Sequence, residues 1–240
     1  MNMNMAGTLD NQINKAAFWS AIALPLAAVP SLFLPLDAPD GPFADRVVWF
    51  SSNLGVFIVG WIVQLIAMLA LSAVFAGALW QIANTHPLRA IVAGTALLVS
   101  VVAFIIPKFI AVWSIPQMVA ASATASAHSA VAEQLLQLLN VSLPFSLFTS
   151  FDYLGFWLYA VFSLLIAGPL FRLTLSAKIA AVGFGAYGLL FHIILIGVLT
   201  RNVVQTDIGP YVESVAGLLL VAIISMAVYF RKAMASGAGE

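Results

Sequence analysis

Lys108, in the stretch IIPKFIAVW, is the residue of this chain that most needs a chemical explanation. A charge within an apolar run is costly and tends to mark function. Two readings stay open. Lys108 either snorkels to the nearby end of its span as an interfacial anchor, or faces a cavity as a cation paired with an acid such as Glu133 or Asp152. Pro107, just before it, removes one backbone donor and frees a carbonyl.

His192, in LLFHIIL, and Gln64, in IVQLI, are the other polar groups set deep in apolar sequence. A buried imidazole needs hydrogen-bond partners and could instead carry a proton or a ligand. A bis-histidine site would need a second ring at matching depth, and neither His86 nor His128 is placed for it. The candidate cavity or functional residues are therefore Gln64, Lys108, His128, Glu133, Asp152 and His192. No catalytic set and no metal set can be named among them, and no cofactor is expected. HExxH, phosphate-loop and GxSxG patterns do not occur. VGFGAYG carries glycines like a nucleotide loop, but it lies inside an apolar run and reads as helix packing. Asn140 opens NVS, a formal glycosylation acceptor.

The elements that must position these groups follow from composition. Of 240 residues, 63% are hydrophobic and 8% charged, against about 25% charged in soluble domains. Such a chain cannot cover a water-soluble surface. Nine basic and nine acidic residues balance, and no basic cluster exists to bind nucleic acid. The absence of cysteine excludes disulfides and thiolate chemistry. The apolar runs are of membrane-span length. They predict an all-α, polytopic membrane helix bundle forming one domain over 1–240, with six transmembrane helices at about 16–36, 53–83, 90–112, 153–171, 176–199 and 211–230. Pro25, Pro30 and Pro35 should kink the first span or end it early. The second run is too short for two spans and reads as one long or tilted helix with an interfacial start around 46–52.

The stretch from 117 to 140 is different. Ser122, Ser126, Ser129, Glu133, Gln137 and Asn140 recur at helical spacing, opposite Ala127, Val131, Leu135 and Leu138. Pro116 precedes the stretch and Pro144 follows it. This predicts one additional amphipathic helix at the outer face. A seventh span is the alternative.

Small residues at Ala177, Ala181, Gly185 and Gly188, and at Ala73 and Gly77, mark faces for close helix approach. Basic residues set orientation. With both termini inside, Lys15, Arg89, Arg172, Lys178, Arg231 and Lys232 are cytoplasmic, and Arg46, Lys108 and Arg201 are outside. The segments FWLYAVFSLLIAGPLFR and SAKIAAVGFGAYGLL resemble the fourth and fifth spans of a family of uncharacterised bacterial six-span membrane proteins. The resemblance implies a bacterial inner-membrane location and carries no site residues. The expected partners are membrane lipids and a membrane protein or second copy of the chain. Three functions remain: a structural, regulatory or sensory membrane subunit; a small-solute transporter or channel with an outer-half cavity; and a membrane-embedded enzyme acting at the outer face.

Overall fold

The computed structural model describes residues 3–39, 41–124, 128–143, 145–204 and 208–237. The helices are α1 (Met3–Ser31), α2 (Phe43–Ala83), α3 (Pro87–Phe109), α4 (Ile115–Ser122), α5 (Ser129–Leu138), α6 (Leu147–Leu170), α7 (Leu175–Leu199) and α8 (Ile208–Gly237), with a π-helical turn at Ile110–Ser114 joining α3 to α4. Among the described residues there is no strand. Among the described residues six helices are long and apolar enough to cross a membrane, counting α3, the π turn and α4 as one. The chain is a multi-pass integral membrane protein.

The spans pack as a closed ring in the order α1, α2, α3, α6, α7, α8 and back to α1. Small residues let them approach. A Cβ on Gly77 would collide with the Ala17 methyl and meet the Phe230 ring, so α2 touches both α1 and α8 there. A Cβ on Gly188 would lie 2.6 Å from Leu164 Cγ on α6, and one on Gly183 would lie 2.9 Å from the Leu218 carbonyl on α8. Gly185, in the expected small-residue stripe, makes only an ordinary 3.6 Å approach to Ala167.

Aromatic rings fill the middle of the ring of helices. Phe75 stacks on Phe162 (centroids 5.0 Å apart, planes 8° apart) and meets the edges of Tyr159 and Phe184. All four rings are fully buried. The hydroxyls of Ser72 and Tyr159 share a 2.6 Å hydrogen bond, which satisfies both polar atoms.

α1 starts earlier than the expected span at 16–36 and ends sooner. Its polar first half is helical because α2 holds it: Trp80 Nε1 donates to Asp10 (2.8 Å), and Gln81 Nε2 donates to the buried Asn14 (3.0 Å). Tyr229 on α8 donates in turn to Gln81 Oε1. After Ser31 the chain closes with tight turns, Leu32, Phe33 and Leu34 each donating to the carbonyl three residues back. It then runs beside α2, where Gly60 leaves room for Leu34, Pro35 and Leu36 and Trp61 Nε1 donates to the Leu36 carbonyl.

α2 is one unbroken helix of 41 residues, about 60 Å long, as its apolar run predicts. Its first turns project past the shorter spans and carry a second core of Ala38, Phe50, Phe57, Trp61, Ala111, Ile115, Val119, Leu136 and Phe148. The molecule therefore has a terminal end, where α1 begins and α8 finishes, and a capped end.

The cap corrects the single helix expected over 117–140. Residues 117–122 belong to α4, a continuation of the third span, and α5 is a separate helix packed against it. The helix continues through Pro116 because the π turn widens it: the Ile115 N–H reaches back five residues to the Ile110 carbonyl. It stops after Ser122 because hydroxyls compete for the backbone, Ser122 bonding the Val119 carbonyl (2.9 Å) and Thr124 that of Ala121 (2.8 Å). The packed face of α5 is Ala132 and Leu136, continued by Leu139, rather than Val131, Leu135 and Leu138, which are exposed. Ser126, Ala127 and Pro144 lie outside the described residues.

Candidate functional site

Lys108 is about 30 Å along its helix from Pro87, towards the capped end of the bundle. It does not snorkel outward. Among the described residues it is the only charged side chain that is buried, at 4% exposure. Its Nζ donates to Asp152 Oδ1 of α6 at 3.0 Å. It also lies over the Phe104 ring (4.9 Å) and the Trp61 ring (5.8 Å). A buried cation is tolerable only with such compensation: a counter-charge, a hydrogen bond and aromatic faces. Of the two acids the sequence offers, Asp152 is the partner. Glu133 is exposed on α5 and takes no part.

Several elements converge on this position. Ser100 on α3 donates to the Gly155 carbonyl of α6 at 2.7 Å, and Gly155 has no Cβ where the Phe104 ring sits 2.7 Å from its ideal position. That contact seats Phe104 beneath Lys108. Beside the pair opens a cleft of about 190 Å³, lined by α1 (Leu24, Ala28, Ser31), α2 (Gln64, Ala67, Met68, Leu71), α3 (Phe104, Lys108) and α6 (Phe156, Tyr159). Gln64 and Lys108, picked out separately in sequence, thus share one concavity, and Asp152 joins them through Lys108. Among the described residues the Gln64 side chain has no hydrogen-bond partner. Ser31 Oγ bonds its own helix, donating to the Ala28 carbonyl at 2.7 Å.

His192 is elsewhere and already satisfied. Trp157 Nε1 donates to its Nε2 (3.2 Å), which assigns the ring proton to Nδ1, and Nδ1 donates to the Gly188 carbonyl (2.7 Å). The ring is half-buried, with both nitrogens hydrogen-bonded. His128 is exposed at the start of α5. Among the described residues no three His, Cys, Asp or Glu side chains gather as a metal site would require.

Two features escape sequence reading. Trp61 links Lys108 to the loop after α1, and only the fold reveals that it does. Arg46 organises the cap: it pairs with Asp37 (2.8 Å), donates to Asn140 Oδ1 (2.8 Å) and reaches the Ala38 carbonyl (3.0 Å). Asp37 in turn accepts from the Ser142 amide (2.9 Å) and hydroxyl. Asn140 therefore ties the loop after α5 to α2, and Ser142 ties the same loop to Asp37 in the loop after α1. A neighbouring cavity of about 260 Å³ includes Asp37, Arg46, Gln137 and Asn140 in its wall. In comparisons with protein-family models, curated proteins and solved structures, no match to this chain is found.

Proposed function

We propose that this chain is a structural, regulatory or sensory subunit of a bacterial inner membrane, with both termini cytoplasmic, and that it works through a membrane-protein partner or a second copy of itself. The supporting observation is the filled middle of the ring: Phe75, Tyr159, Phe162 and Phe184 are fully buried, with Phe75 stacked on Phe162 and edge-on to the other two. The orientation rests on the basic residues. Six (Lys15, Arg89, Arg172, Lys178, Arg231 and Lys232) belong to the terminal end, against Arg46, Lys108 and Arg201 towards the other. The bacterial inner-membrane assignment rests on the likeness of the fourth and fifth spans noted in the sequence.

The test is reconstitution. Vesicles containing the purified protein should show the same permeability to potassium, protons and glycerol as empty vesicles, and cross-linking in native membranes should recover a stoichiometric partner or a dimer. Faster flux of any of these solutes that is abolished by Lys108→Leu would overturn the proposal in favour of transport. One observation favours that second reading, a small-solute transporter: Gln64 and Lys108 line a single cleft in the half of the bundle nearest the cap.

A further inference from the structure

The cleft beside Lys108 has the chemistry of a binding site, and its polar groups restrict what it can take. Its walls are apolar: Leu24, Ala67, Leu71, Phe104 and Phe156. Only a few polar groups interrupt them. The Gln64 amide, one donor group and one acceptor, has no partner among the described residues. Lys108 gives one hydrogen bond to Asp152 and turns its ammonium over two aromatic rings, so it keeps N–H capacity to offer. The half-buried Gln64 amide and the remaining Lys108 N–H groups thus have hydrogen-bonding capacity to spare at an apolar wall. A ligand that uses both gains two hydrogen bonds without burying a new polar group unpaired.

Charge decides between ligand classes. Asp152 already neutralises Lys108 at 3.0 Å. A second anion would leave a net negative charge against apolar walls, which is strongly disfavoured. A neutral head with an accepting oxygen for Lys108 and a hydroxyl for Gln64 meets both needs without that charge. Size points the same way. At about 190 Å³, the space slightly exceeds a cavity of roughly 150 Å³ that holds benzene. It admits a head group and not a whole lipid. The π-helical turn that begins two residues after Lys108 adds an independent mark, because such turns recur at functional sites.

We propose that the cleft lined by Ser31, Gln64, Lys108 and Tyr159 binds the uncharged, oxygen-bearing head group of a single-chain amphiphile, such as a glycerol ester, from the surrounding bilayer. Lys108 donates to the ester or hydroxyl oxygen, and Gln64 pairs with a hydroxyl. The apolar walls receive the first carbons of the chain. This goes beyond the subunit role and does not depend on it, since the site would exist whether or not a protein partner does.

The full chain, purified in dodecylmaltoside, is tested with 1-monoolein as the neutral probe and oleate at pH 8 as the anionic one, with bound molecules counted by native mass spectrometry and the thermal midpoint followed in parallel. The expected result is one monoolein retained per chain, with a raised midpoint. Gln64→Leu should weaken retention by about tenfold, the size of one lost hydrogen bond to a charged or amide group. Ala67→Phe, which fills the cleft with an apolar ring, should abolish it. Because these two variants leave the Lys108–Asp152 pair intact, loss of folding is separable from loss of binding through the midpoint without probe. No monoolein on the wild type, retention by either variant equal to that of the wild type, or preferential retention of oleate would each overturn the proposal.

Discussion

At the scale of single residues, the Lys108–Asp152 pair is held by mutual need. Removing one partner leaves the other charged among apolar groups, whereas removing both leaves only a packing defect. Lys108→Leu should therefore lower stability by about 2 kcal/mol, less than for a fully sealed pair because the Asp152 side chain keeps 22% exposure. The double change Lys108→Met with Asp152→Leu should recover most of the loss. Denaturation midpoints in detergent check this, and a Lys108→Leu chain as stable as one changed at the exposed Lys178 would sink it. Ser163 makes the opposite case. Its hydroxyl is buried and has no hydrogen-bond partner among the described residues, so Ser163→Ala removes a desolvated polar atom at little packing cost. The alanine variant should be as stable as the parent, or more so by up to about 1 kcal/mol; a clear loss of midpoint would show that the hydroxyl has a use.

At the scale of elements, glycines of similar appearance differ in what they touch. Gly188→Ala on α7 forces a methyl against Leu164 and the Ala160 carbonyl and should cost about 1–3 kcal/mol through overpacking. Gly185→Ala meets only the Ala167 methyl at contact distance and should be neutral or gain a few tenths from helix propensity, at roughly 0.5–1 kcal/mol at most. Equal losses at both positions would contradict the packing described for α6 and α7. In α5, cysteines at Glu133 and Gln137 should react with a polar thiol reagent, while those at Ala132 and Leu136 should not, because the latter two face α4 and the cap core. The six spans were legible because about 20 apolar residues in a row have few alternatives. The break at 123–128 was not, because Ser and Thr are neutral at the level of periodicity and act only once their hydroxyls choose a carbonyl. The Lys108 partner was half legible: chemistry demanded an acid, but only the pairing of α3 with α6 chose Asp152. Trp61 and Arg46 gave no signal, since their roles come from loops folding back on α2.

At the scale of the whole molecule, the ring of six spans divides into two halves. The terminal half is packed solid around Phe75 and Tyr159, and it closes through α1 against α8. The other half holds the cleft and is roofed by the cap, whose Arg46 and Asp37 contacts bind the loop after α1 to that before α6. This division places the 190 Å³ cleft beside Lys108 and the 260 Å³ cavity beside Arg46 both towards the capped end. Absence of cysteine from the chain makes the decisive measurement clean: single cysteines at Glu133, Ser163 and Arg172, each labelled with a membrane-impermeant thiol reagent in right-side-out and in inverted vesicles. The account predicts that Glu133→Cys reacts from one side only, Arg172→Cys from the opposite side only, and Ser163→Cys from neither. Labelling of Glu133→Cys and Arg172→Cys from the same side would contradict the crossing of α6, and labelling of Ser163→Cys from either side would contradict the filled ring.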